Sequence, residues 1–134
     1  MTVETTPGGT ARHPPGGIRL ISAVTLTASD MAASVAFYQT LGMTIRYGGS
    51  TALFTSLHAG ACYINLIAKP TMTPVFWGRI IFHVEDVDAI YQQLLAQGYA
   101  GETAPADASW GERYFHVRDP SGHELSIAKS LAEV

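Results

Sequence analysis

The chain carries one short unit written twice. ISAVTLTASDMAASVAFYQTLGM, residues 21–43, reads as a strand, an Asp or Ser helix cap and an amphipathic helix closed by Gly42. RIIFHVEDVDAIYQQLLAQGY, residues 79–99, repeats that order and closes on Gly98. Asp30 and Asp86 stand 56 positions apart, and so do Gly42 and Gly98. A repeat at this period commits the chain to two copies of one supersecondary unit.

Shorter strand-like pieces follow each helix. MTIRYGG, TALFTSL and CYINLIA come after the first; a piece near Tyr99, then RYFHV and HELSIAK, come after the second. Each unit therefore reads βαβββ, so two helices and eight strands account for residues 18 to about 130. The expected class is α+β: two modules, about 18–70 and 76–130, forming a curved, cup-like mixed sheet with helices on the outer face. The stretch from Glu102 to Ser109 is expected to be the one long loop between strands. MTVETTPGGTARHPPGG, residues 1–17, has no periodicity and is expected to be a loose arm. With 134 residues the chain fits one domain, here 18–134, able to bury roughly two-thirds of its unfolded surface.

Composition removes several functions. Eight Lys and Arg, unclustered, and a formal charge of −3 give no footprint for nucleic acid. No apolar run approaches the ~20 residues of a membrane span, and no basic-then-apolar leader opens the chain. Cys62 stands alone in an apolar run, so it reads as a small hydrophobe compatible with a reducing cytoplasm.

SDMAASVAFYQTLGM, FHVEDVDAIYQQLLAQG and WGERYFHVRDPSGHELSIAK together resemble the glyoxalase/bleomycin-resistance/extradiol dioxygenase superfamily, the vicinal oxygen chelate fold. The likeness covers everything after residue 17. It implies paired βαβββ modules, a homodimer and a cavity on the concave sheet face. In the metal-dependent members one ligand comes from the first strand of each module and one from the last. Counting back seven from the cap aspartates gives Ala23 and Arg79; counting seven on from Asp119 gives Ser126, with Asn65 its first-module counterpart. None of these four offers a carboxylate, imidazole or thiolate. A guanidinium has five N–H donors, no lone pair and a permanent charge, so Arg79 would repel a dication held there. No metal and no cofactor are expected.

Side-chain alternation sorts the rest. Glu124 and Ser126 share the cavity face; His123 shares the other with Leu125 and Ile127 and is expected at the turn, as a rim or capping histidine. Arg79 and His83 point the same way and form the best polar pair in the sequence. Either they orient an anionic or carbonyl-bearing small molecule, or Arg79 pairs with an internal acid and His83 is a sheet-edge histidine. Thr25, Thr27, Tyr63 and Asn65 should line the same cup, with Trp110 closing it or meeting a dimer partner. The facing of His116 stays open, and His58 is expected in a hairpin loop.

Two functions fit. One is a metal-independent binding protein that encloses a small molecule, an antibiotic or an aromatic metabolite; cationic bleomycin itself would be opposed by Arg79. The other is a glyoxalase-like lyase or isomerase with a displaced metal or none. No nucleophile motif, phosphate loop or spaced carboxylate pair signals catalysis.

Overall fold

The computed structural model describes residues 15–132. The expected loose arm falls largely on residues 1–14, outside the described residues. The first unit contains β1 (Ala23–Ala28), α1 (Met31–Thr40), β2 (Thr44–Tyr47), β3 (Phe54–Ala59) and β4 (Cys62–Ala68). The second contains β5 (Ile80–His83), α2 (Val87–Ala96), β6 (Ala106–Asp107), β7 (Glu112–Arg118) and β8 (Glu124–Ser130). The α+β architecture of paired βαβββ units is the expected one.

The helices begin where their caps dictate. The carboxylate of Asp30 accepts the Ala33 N–H at 3.1 Å, and that of Asp86 accepts the Ala89 N–H at 3.0 Å. Each uses one of the backbone donors a helix start leaves without a partner. Gly42 and Gly98 follow with φ of 97° and 88°, a left-handed turn that lets the chain reverse into the sheet.

Each unit forms its own four-stranded sheet, in the orders β1-β4-β3-β2 and β5-β8-β7-β6. β1 runs parallel to β4 and β5 to β8, while the remaining pairs are antiparallel. The sheets are mixed, and no ladder joins β1 to β5. Period-two alternation decides which face is dry. Leu26, Leu57, Ile64 and Leu66 in the first unit, and Phe115, Val117, Leu125 and Ile127 in the second, are buried with Phe37, Tyr38 and Leu94 of the helices in one cluster. Each such side chain contributes roughly 1.5–3 kcal/mol of burial.

The second unit departs from expectation at its edge. The strand expected near Tyr99 lies later, at Ala106–Asp107, inside the stretch expected to be a loop. Tyr99 instead packs edge-on against Phe37, with ring centroids 5.0 Å apart. The N–H groups of Glu102 and Thr103 both reach the His116 carbonyl, and the ladder to β7 resumes at Ala106 and Asp107. Pro105 has no N–H to donate, which keeps this edge strand short.

The units meet at the Asp-Pro-Ser-Gly turn before β8. Asp119 is buried; its Oδ1 accepts the N–H groups of Ser121 and His123, and its Oδ2 accepts the Tyr38 hydroxyl of α1 at 2.7 Å. Ser121 Oγ accepts the Ser29 N–H at 3.0 Å. His123 is expected at the rim; it is 4% exposed and bridges the two units. Trp77 Nε1–H donates to His123 Nδ1 at 3.0 Å, and an indole can only donate. The ring proton therefore sits on Nε2, which donates to the Thr27 carbonyl at 2.8 Å. A histidine with both nitrogens engaged across 96 positions is structural.

Candidate functional site

The polar faces of the two sheets carry the candidate residues. On the second sheet Arg79, just before β5, is the centre of a network. Its Nη2 donates to Glu124 Oε1 at 2.7 Å, and its Nη1 to the Leu125 carbonyl at 3.0 Å, His116 Nδ1 at 2.9 Å and Ser126 Oγ at 3.4 Å. Ser126 Oγ also lies 2.8 Å from His116 Nδ1. A guanidinium only donates, so Nδ1 keeps its lone pair and His116 presents Nε2–H outward. Burial and then the Arg79 charge hold the His116 imidazole below its ordinary range, which keeps it neutral. The facing of His116, open in the sequence, is thus toward Arg79.

Of the alternatives for Arg79, the geometry shows the internal acid: Glu124 holds it, and Arg118 approaches the other oxygen of Glu124 at 3.9 Å. The positive charge at this spot is largely offset. His83 belongs to a second cluster. Its Nε2 lies 2.8 Å from Glu112 Oε2, and Trp110 Nε1–H donates to Glu112 Oε1 at 3.0 Å. No hydrogen bond joins His83 to Arg79 among the described residues. Trp110, Tyr114 and His116 form a row of rings between the clusters, with centroid spacings of 5.4 and 5.1 Å.

On the first sheet Asn65 Nδ2 donates to Thr25 Oγ1 at 3.4 Å, and Tyr63 sits between the Arg46 guanidinium and the ring of His58. His58 is in β3 rather than in a loop. Two clefts open between the units. One of about 420 Å³ is walled by Val24, Ile64, Ile80 and Phe82, with His58 and His83 also lining it. The other, about 360 Å³, is lined by Thr25, Thr27, Trp77 and His123 among others. Arg79, Tyr63, Asn65, Glu124 and Ser126 line neither; Ser126 is buried, and Glu124 lines a smaller recess with Trp77 and Arg118.

A family model described as Glyoxalase/Bleomycin resistance protein/Dioxygenase superfamily matches residues 20–127. The chain belongs to that superfamily. An uncharacterised protein of Mycobacterium bovis is 41% identical over 68 residues, covering 48% of this chain and 45% of that protein. The chain thus spans less than half the length of that relative. A bleomycin-binding protein solved with bleomycin superposes with a TM-score of 0.65 at 24% identity, over 84% of this chain and 99% of its own. A lactoylglutathione lyase from Agrobacterium tumefaciens superposes at 0.67 with 19% identity, over 82% and 92%. At these identities the likeness to the two structures is one of fold.

The metal that some superfamily members hold can be tested against the residues here. The registers Thr25 with Asn65 and Ile81 with Ser126 make Asn65 and Ser126 equivalent positions of the two sheets, as Ala23 and Arg79 are by the 56-residue repeat. A methyl and a guanidinium offer no lone pair, and the guanidinium adds a positive charge, so the carboxamide and hydroxyl that remain do not make a site for a divalent ion. Among the described residues no three of His, Cys, Asp and Glu gather in metal-binding range. The donor set does not fit the ion. Two partners are not legible in the sequence, His116 for Arg79 and Glu112 for His83, because both lie on β7, whose facing needs the register; Arg46, in the edge strand beside Gly48-Gly49, is a third residue that alternation alone does not place.

Proposed function

We propose that this chain is a metal-independent small-molecule-binding protein of the glyoxalase/bleomycin-resistance type, able to sequester an antibiotic or an aromatic metabolite. One observation carries the reading: at a first-strand ligand position stands Arg79, and the lone pairs of Glu124, His116 and Ser126 around it are directed at its guanidinium. The same network offers His116 Nε2–H as a fixed donor for a carbonyl, beside the ring row of Trp110 and Tyr114. Aromatic walls with a few placed polar groups are what small-molecule sites require. The superposable bleomycin-binding protein was solved with a guest, which supports binding as a use of this fold.

The test is a thermal-shift panel of carbonyl-bearing aromatic compounds, together with elemental analysis of protein purified without chelator. Ligand-dependent stabilisation without stoichiometric metal is expected, and Arg79→Ala should weaken acidic guests at least tenfold by removing the cation and unpairing Glu124. Stoichiometric zinc, nickel, manganese or iron would transfer the case to the lyase or isomerase reading.

The reading includes a homodimer. Val75 and Phe76, neighbours in the segment between the units, are 83% and 72% exposed, and they are the apolar side chains a second copy would cover. Sedimentation at micromolar concentration should give twice the chain mass; a monomer would remove this part.

A further inference from the structure

The pairing of β2 with β3 slips at one residue. Ile45 faces Leu57 and Tyr47 faces Ser56, so Arg46 opposes nothing. Such a bulge re-aims side chains, and here it turns Arg46 and Tyr47 together onto the polar face. The Arg46 guanidinium carbon lies 4.1 Å from the ring centroid of Tyr63 and 5.3 Å from that of Tyr47. Tyr47 in turn stacks on Phe54 at 6.0 Å and 22°. Arg79, Arg113 and Arg118 each hold a carboxylate, whereas Arg46 forms no salt bridge with any described residue.

In the strand register beside Tyr47 stand two polar atoms without partners among the described residues. Ser56 is fully buried and its Oγ has no hydrogen bond; Asn65 Oδ1 is likewise buried and unpaired. Their residues face each other across β3 and β4, so Tyr47, Ser56, Asn65 and Thr25 form one row across four strands. Buried polar atoms are nearly always satisfied, and an orphan pair set beside an unpaired cation and flat rings calls for a molecule that satisfies all of them.

We propose that this face of the first sheet binds an aromatic carboxylate carrying a ring hydroxyl or amine. The carboxylate meets the Arg46 guanidinium, whose planar fork matches it. The ring lies against Tyr47 and Tyr63, displacing side chains that cover the orphans, and its hydroxyl or amine donates to Asn65 Oδ1 while Ser56 Oγ gains a partner. This rests on the small-molecule reading above and names the class of guest, through residues of the other sheet.

The probes are the three hydroxybenzoate isomers and their neutral hydroxybenzamides, titrated calorimetrically into the whole chain at low ionic strength. At least one isomer should bind saturably, its benzamide at least tenfold more weakly. Arg46→Gln should cost at least tenfold, and Ser56→Ala at least threefold without lowering Tm, because it deletes a hydroxyl that has no partner. Equal binding of acid and amide, a silent Arg46→Gln, or a destabilised Ser56→Ala would each overturn the proposal, and so would failure of every isomer to bind. Arg79→Gln run in parallel separates the two readings. Loss there with Arg46→Gln silent refutes this site and leaves binding at the second sheet; the converse leaves this site and refutes the role of Arg79.

Discussion

Tyr38 shows how much one hydrogen bond decides. Its ring is fully buried and its hydroxyl ends on the buried carboxylate of Asp119. Burial first, and then the Asp119 charge, push the phenol well above its ordinary range. A raised acid group favours the folded state while the proton stays on, so this contribution is whole below the unfolded value near 10 and is lost as pH climbs past it. Tyr38→Phe should cost about 1.5–3 kcal/mol at neutral pH, the worth of a hydrogen bond to a charged group. Urea unfolding from pH 7 to 11 should show the gap between wild type and variant shrinking above about pH 10; a constant gap would show that the hydroxyl is not what holds the turn. Side chains were legible in the sequence as far as a strand's alternation reaches. Arg79, Glu124 and Ser126 fall on one face by counting, but the pairing of Arg79 with Glu124 and His116 required the register between β5, β8 and β7, which no local pattern states. His123 was misplaced for the same reason: its partners, Thr27 and Trp77, come from 96 and 46 positions away.

Helices and their ends were legible because caps are local chemistry: an aspartate, ten helical residues and a glycine fix each of them within one stretch of chain. Edge strands were not. β6 has two residues and is defined by what β7 offers it, and the bulge in β2 appears only once β3 is laid alongside. The turn after that bulge is the constrained point of the first sheet. Gly48 has φ of 89°, and a methyl group there would collide with the Phe54 carbonyl oxygen and lie 2.8 Å from Thr55 Cα. Both obstacles are backbone, so β3 itself must move. Gly48→Ala is expected to cost about 2 kcal/mol or more, from the left-handed φ and the clash together. It should also disturb the seat of Arg46, two residues away. The urea midpoint reads the first effect; an unchanged midpoint would mean that the turn is not held as described.

At the scale of the molecule, the question is whether two sheets without a shared ladder behave as one body. The apolar cluster runs through both units, from Leu26 and Leu57 to Phe115 and Leu125, and the junction adds the Tyr38–Asp119, Ser29–Ser121 and Thr27–His123 contacts. Neither unit can expose its side of that cluster cheaply, since leaving even a few such side chains in water costs several kcal/mol, a large part of the stability of a small domain. We therefore expect the two units to unfold together. Trp77 sits at the junction beside Thr27 and His123, whereas Trp110 contacts Glu112 and Tyr114 of the second unit, so the fluorescence of a Trp77→Phe variant reports the second unit while far-UV circular dichroism reports both. Coincident urea transitions by the two probes are the expected result. His123→Ala removes the bridge to Thr27 and the acceptor for Trp77, and should cost about 1–3 kcal/mol of stability, lowering the common midpoint without splitting it. A dichroism transition that separates from the fluorescence transition would show two independently folding modules, and the junction would then be a hinge rather than part of the core.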